Sequence, residues 1–234
     1  MAEEAASNQD PPASSEPVGG TQPIAEARWP MAGAILAAMV LTVLLPDALR
    51  IGPPWLLPLI EGILLVAIVA GDGHRVDRRS SFLRILSIGL VSVLVIEALW
   101  STGWLIHGLV VGNSLTNSAS ALLSAGASVW VSNNIAFALL YWEVDGGGAV
   151  ARAHHAPQHP DFAFPQQMNP RIGRPGWRPR FVDYLYLGFT NATAFSPTDV
   201  MPLTPRVKVA MAVQSVISLA ILGLVVARAV NVFS

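Results

Sequence analysis

The sequence predicts an all-α, polytopic transmembrane bundle of about five spanning helices plus one short re-entrant half-helix, and three observations carry that reading. Four apolar runs lie at residues 29–46, 53–71, 83–107 and 118–142, and a fifth at 206–233. A helix needs roughly 17 to 25 residues to cross about 30 Å of hydrocarbon. Charged residues are only 12% of the chain, about half the usual share for a soluble domain, and they cluster between the runs. A further apolar stretch, 181–195, is about 22 Å long as a helix and is stopped by Ser196-Pro197-Thr198-Asp199. It is too short to cross and reads as a half-helix. The chain thus divides into a tail (1–28), a four-helix region (29–142), a Pro/Gly-rich loop (143–180) and a terminal unit of half-helix and last helix (181–234).

The tail combines Pro11, Pro12, Pro17, Gly19 and Gly20 with the acids Glu3, Glu4, Asp10, Glu16 and Glu26. It has too little apolar surface to offset the entropy of ordering, so disorder is expected. Its acidic start also differs from a secretory signal, which begins with basic residues before an apolar stretch.

Orientation follows from the fourteen basic residues. If all five runs cross, twelve of them fall on one side: Arg28, Arg75, Arg78, Arg79, Arg84, Arg152, Arg171, Arg174, Arg178, Arg180, Arg206 and Lys208. Arg50 and Arg228 fall on the other. The positive-inside rule then places the N-terminus in the cytoplasm and the C-terminus outside. Trp29, Trp55, Trp104 and Trp142 mark span ends, where indoles favour the headgroup level, whereas Trp100 and Trp130 lie inside spans and are expected to pack.

Polar residues within the apolar runs are the candidate site. Glu61 and Glu97 lie six residues after Trp55 and seven before Trp104, about 9 to 10 Å below one interface. Asn133, Asn134 and Gln214 lie about 12 to 13 Å from the other. Together they predict a polar layer near the midplane. Carboxylates and amide oxygens at that depth suit a cation or proton pathway; the alternative is helix-to-helix hydrogen bonding. Ser120, Ser124, Ser128 and Ser132 repeat every four residues beside Ala121, Ala125 and Gly126, a pattern that favours close helix packing, with a hydroxyl-lined path as the other reading.

Other classes find little support. No cysteine is present, which removes disulfides and thiolate metal sites, and a net charge of -1 argues against nucleic acid as a partner. His154, His155, His159 and Asp161 are metal-ligating types, but Pro157 interrupts any helix that would align them. No cofactor is expected. No nucleophile elbow, phosphate loop or HExxH motif occurs, so an enzyme is not expected either.

The terminal unit carries a resemblance. Asp183-Tyr184-Leu185-Tyr186-Leu187-Gly188-Phe189-Thr190-Asn191-Ala192-Thr193, then Asp199-Val200-Met201-Pro202-Leu203-Thr204-Pro205-Arg206 and a last apolar helix, resembles the pore module of two-helix potassium channels. The match covers about the last fifty residues. Thr193 and the segment Ala194, Phe195, Ser196, Pro197, Thr198 and Asp199 occupy the filter position without the family's two glycines. The resemblance therefore implies a pore-loop-like segment that lacks a potassium filter. The whole chain also resembles bacterial multi-pass membrane proteins of unknown function, which implies the plasma (inner) membrane as its setting and the lipid bilayer as its partner. One pore loop per chain would imply a homo-oligomer of about four copies if it encloses a pore. The expected function is channel-like or transporter-like permeation of a cation or proton; the alternative is a non-conducting scaffold or assembly protein.

Overall fold

The apolar runs fold as helices, which satisfy every backbone N–H and C=O within the segment, as a chain in hydrocarbon requires. The computed structural model describes residues 29–71, 79–112, 118–154, 160–169, 171–174, 176–193 and 199–233. The expected disordered tail 1–28, residues 155 and 159 of the histidine tract and residues 194–198 of the pore-loop-like segment lie outside them. The helices are α1 (Trp29–Leu44), α2 (Leu56–Gly71), α3 (Arg79–Val111), α4 (Ala119–Val144), α5 (Ala149–His154), α6 (Pro165–Met168), α7 (Phe181–Thr193) and α8 (Pro205–Phe233). Strands β1 (Phe162–Ala163) and β2 (Met201–Pro202) pair antiparallel.

Three helices are long and apolar enough to cross a membrane, over Phe82–Val111, Ala119–Gly147 and Pro205–Asn231. Helices α1 and α2 have 16 residues each, about 24 Å, and fall short of the five full spans expected. Proline sets their facing ends. Pro46 follows Leu45 and restricts the residue before it, and Pro53 and Pro54 precede α2. The short 3-10 turn Asp47–Leu49 lies between them.

Helix α4 is the axis of the bundle. It packs against α1, α3, α7 and α8, while α2 packs on α1 and α3. Two apolar cores form along it. At one end Leu45, Leu49, Leu105, Leu122, Val129 and Ile221 pack together. At the other, Ile35, Leu90, Phe137, Phe162, Tyr184 and Leu187 belong to a larger cluster. Close approach of α4 and α8 depends on Gly126, where an added Cβ would sit 2.8 Å from Val225 Cγ2. The serines beside it do not share that role: Ser120 and Ser124 are exposed, and Ser124 and Ser128 donate back to Ala121 and Ser124 carbonyls of their own helix.

Helix α7 enters beside the end of α4 and stops part-way along it. Phe181 packs edge-on to Trp142 (6.1 Å) and Phe189 packs edge-on to Trp130 (5.9 Å), so α7 runs antiparallel to α4 over about 18 Å. At Asn191 it is level with Met211 and Gln214 of α8. By Leu203 the chain is back at the starting end, where the Leu203 amide donates to the Asp161 carbonyl (2.8 Å). This is the geometry of a half-helix. Trp142, at the end of α4, is buried between Phe181 and the Arg152 guanidinium.

The connection 143–180 has more order than its composition suggests. Gly146, Gly147 and Gly148 all take positive φ (57°, 82° and 97°), a region L side chains rarely occupy, and they turn the chain sharply out of α4. Helix α5 follows at once, then β1 and α6.

Gly188 is the tightest point of the α4–α7 contact: an added Cβ would lie 2.8 Å from Asn134 Oδ1 and 3.4 Å from the Asn134 carbonyl. Gly188→Ala should therefore displace the Asn134 amide, at a cost of about 1 kcal/mol, seen as a modestly lower melting temperature in detergent. Gly223→Ala, with nothing within 4 Å of its built Cβ, should be neutral or stabilising.

Candidate functional site

Each major helix contributes to a buried polar layer between the two apolar cores. Glu61 and Gln214 are 0% exposed, Asn133 0%, Glu97 6% and Asn134 7%. Thr42, Ser101, Thr102 and Ser218 are buried with them. The five residues picked from sequence are all inside, but they form separate groups.

The first group joins α1, α2 and α3. The Glu61 and Glu97 carboxyl groups adjoin, with the Thr42 hydroxyl beside Glu97. Thr42 directs its proton to the Ala38 carbonyl (3.1 Å), and Ser101 donates to the carbonyls of Glu97 (3.0 Å) and Ala98 (3.1 Å). The Thr42 hydroxyl is also within reach of the Glu97 carboxyl, whereas both Glu61 oxygens and Glu97 Oε1 have no donor in place. In the second group Asn133 Nδ2 donates to Thr102 Oγ1 (2.6 Å) and the Val129 carbonyl (3.0 Å). Its Oδ1, and that of Asn134, are also left without a donor. Five buried oxygens in one layer therefore accept and receive nothing, a concentration of negative partial charge that suits a proton or hard cation.

The third group is fully matched and holds the half-helix. Gln214 Oε1 accepts from Tyr141 Oη (2.6 Å) and Asn191 Nδ2 (2.7 Å), while Gln214 Nε2 donates to the Gly188 carbonyl (3.0 Å). Asn191 Nδ2 also reaches the Met211 carbonyl (2.9 Å), and Ser215 Oγ donates to Asn191 Oδ1 (3.1 Å). Asn191 and Tyr141 were not singled out from sequence. The available signal was the same one that marked Gln214: a polar side chain in an apolar helix.

The pore-loop-like segment is placed only at its ends. Thr193 is half-buried and donates to the Thr190 carbonyl (3.0 Å). Asp199 is exposed and two residues from β2, and it does not join the Gln214 group. Gln214 is met by Asn191 instead. Ala194, Phe195, Ser196, Pro197 and Thr198 lie outside the described residues.

Two buried aspartates fasten the connection to the helix ends. Asp145 Oδ1 accepts from the amides of Asp161 (2.8 Å) and Phe162 (3.2 Å), and Oδ2 from the Tyr184 hydroxyl (2.5 Å). Asp161 takes a two-pronged bond from Arg206 (2.8 and 2.7 Å), another from Thr204 Oγ1 (2.6 Å) and one from the Gly146 amide (3.2 Å). Arg152 is enclosed by the Trp142 and Tyr184 rings and donates to the Trp142 carbonyl (2.7 Å). The Asp-Tyr-Leu-Tyr and Thr-Pro-Arg elements thus have structural partners: Tyr184 meets Asp145, and Thr204 and Arg206 meet Asp161. Asp161 is committed to that pair, and no cluster of three metal-ligating side chains occurs among the described residues.

No family model matches the chain, and neither a curated protein nor a solved structure matches it.

Burial opposes the charge on Asp161, but the Arg206, Thr204 and Gly146 donors outweigh it and hold the carboxyl below its usual range. A depressed folded-state pKa stabilises the fold above the unfolded value, near 3.9, and that contribution is lost as pH falls through the folded value. Asp161→Asn should lower the melting temperature at neutral pH, and the gap from the parent protein should close below about pH 4. Thermal melts across that range measure it.

Proposed function

We propose that the chain is an integral membrane protein that takes up a proton or small cation at the Glu61–Glu97 layer and passes it across the bilayer. The observation that supports it most directly is the adjoining pair of buried carboxyls with donor-free oxygens. Ionisable groups at membrane depth are costly, at about 2.5 to 3.5 kcal/mol each on insertion scales, and usually mark ion or proton routes. With apolar clusters on both sides of the layer, a transporter-like occluded site fits better than an open channel. The resemblance of the terminal unit to a potassium-channel pore module adds a half-helix to this reading, without the filter glycines.

The second reading, a non-conducting scaffold, draws on the Gln214 group. There the Asn191 and Gly188 bonds tie α7 to α8, and the Tyr141 bond ties α8 to α4. Purified protein in liposomes separates the two. Glu61→Gln and Glu97→Gln keep side-chain size while removing the titratable group, and each should reduce proton or cation flux by roughly tenfold, about 1.4 kcal/mol of barrier, with little change in melting temperature. Folded parent protein that passes no monovalent cation and no proton would establish the scaffold reading instead.

The proposed setting is a bacterial plasma membrane, with α1 and α2 crossing as short helices in a five-span arrangement. The N-terminus is then cytoplasmic and the C-terminus outside, from the twelve-to-two split of basic residues. Reporter fusions after residues 77, 113 and 234 should read inside, outside and outside. A cytoplasmic signal at residue 234 would refute this topology.

A further inference from the structure

We propose that the end of the bundle bearing Asp145 and Asp161 is a basic face that docks the anionic headgroups of the surrounding lipid. Charge is segregated there by direction. Two acids turn inward, Asp145 and Asp161, which are buried; Glu143 and Asp183 are half-buried, and they accept from Ser87 Oγ (2.6 Å) and, at the surface, from the Arg180 amide (2.7 Å). The bases turn outward. Arg171, Arg174, Arg178, Arg180 and Lys208 are exposed, and Arg206 keeps 64% of its side chain exposed while it holds Asp161. Asp199 is exposed as well, so among the described residues of this end the exposed cations outnumber the exposed acids.

The partner is identified by what lies among those cations. Met168 (52% exposed) and Ile172 (64%) flank Arg171 on the connection, and Met201 and Leu203 are exposed just before Arg206. A free phosphate or an acidic chain has no use for these apolar groups, whereas a headgroup layer over acyl chains accommodates both. Position agrees. The face lies where α4 ends and α8 begins, two of the helices long enough to cross, and so at the boundary of the hydrocarbon. Each basic group near an anionic leaflet strengthens the attraction by roughly fivefold, and the effect fades as salt shortens the Debye length. The inference requires that α4 and α8 cross a membrane; it does not require that Glu61 and Glu97 pass an ion.

The chain has no cysteine, so Ile172→Cys can carry a single polarity-sensitive fluorophore on the full-length protein. Nanodiscs of phosphatidylcholine alone are compared with an equal mixture of phosphatidylcholine and phosphatidylglycerol. The expected result is a blue-shifted emission, with reduced quenching by aqueous iodide, in the anionic discs only, reversed at high salt. The Arg171→Gln, Arg174→Gln, Arg180→Gln triple variant should lose the shift. Arg178 is retained because it donates to the Arg152 carbonyl (3.0 Å). Identical spectra in the two lipids, or a shift that survives the triple substitution, would overturn the proposal. So would reproduction of the shift by inorganic phosphate in neutral discs, which would mean a free-anion site. If the triple variant does not fold, the salt titration decides, and a shift that persists at high salt overturns it.

Discussion

The bundle depends on one side chain, Gln214, which binds three partners on two other helices. A half-helix that ends at membrane depth exposes terminal carbonyls and polar side chains to a solvent that offers no hydrogen bonds. Gln214 removes part of that cost by receiving Asn191 and Tyr141 and donating to Gly188. The amide is suited to the task because it donates and accepts at once. Leucine of similar size would leave the buried Tyr141 hydroxyl without its acceptor, at about 1 to 3 kcal/mol, and would remove the additional donor to the Gly188 carbonyl. Gly188 makes the arrangement sterically feasible, since only a residue without Cβ lets α7 approach Asn134 so closely. The half-helix thus rests on a pairing of bond geometry and close packing, and neither works without the other.

The opposite problem, a mostly polar connection beside lipid, is solved with charge. Asp145 and Asp161 take the amides, hydroxyls and guanidinium that residues 143–206 bring to the helix ends. Because β1 and β2 are two residues each, they add little stability alone, and the aspartates set their register: Asp161 receives the Leu203 amide through its carbonyl and Arg206 through its carboxylate. The three glycines after α4 let the chain turn early enough for the Gly146 amide to reach that same carboxylate. Turning acids inward to do this leaves the arginines outside.

What the sequence made legible was what lipid constrains. The long apolar runs of α3, α4 and α8 and the short one of α7 follow from composition and length alone. The burial of Glu61, Glu97, Asn133, Asn134 and Gln214 was also readable, because a polar side chain in hydrocarbon turns toward protein. Their grouping was not. Which side chain Gln214 meets depends on where α7 stops along α8, which no periodicity records. In the serine row, spacing by four shows that the residues share a face but not which way the face points, and Gly126, two positions from the nearest serine, proved to be the close contact of the small-residue pattern. Trp142 was read from its place at a span end, before the half-helix and Arg152 were known to cover it. Asp145 and Asp161 looked like loop acids because their partners are up to 45 residues away.

The carboxyl pair resists a purely structural account on chemical grounds. Helix-to-helix bonding needs a donor and an acceptor, and an ionised carboxylate is only an acceptor. Ser101 is directed to backbone carbonyls and the Thr42 hydroxyl, which also reaches the Ala38 carbonyl, lies beside Glu97 alone, while no donor reaches either Glu61 oxygen. Two ionised groups side by side in a low dielectric would repel strongly. The pair can serve as glue only if a proton sits between its members, or if a cation takes that place. Both readings of the layer therefore begin with the same event, uptake of positive charge from an aqueous side to a buried site. They part only over whether the charge leaves on the side from which it came.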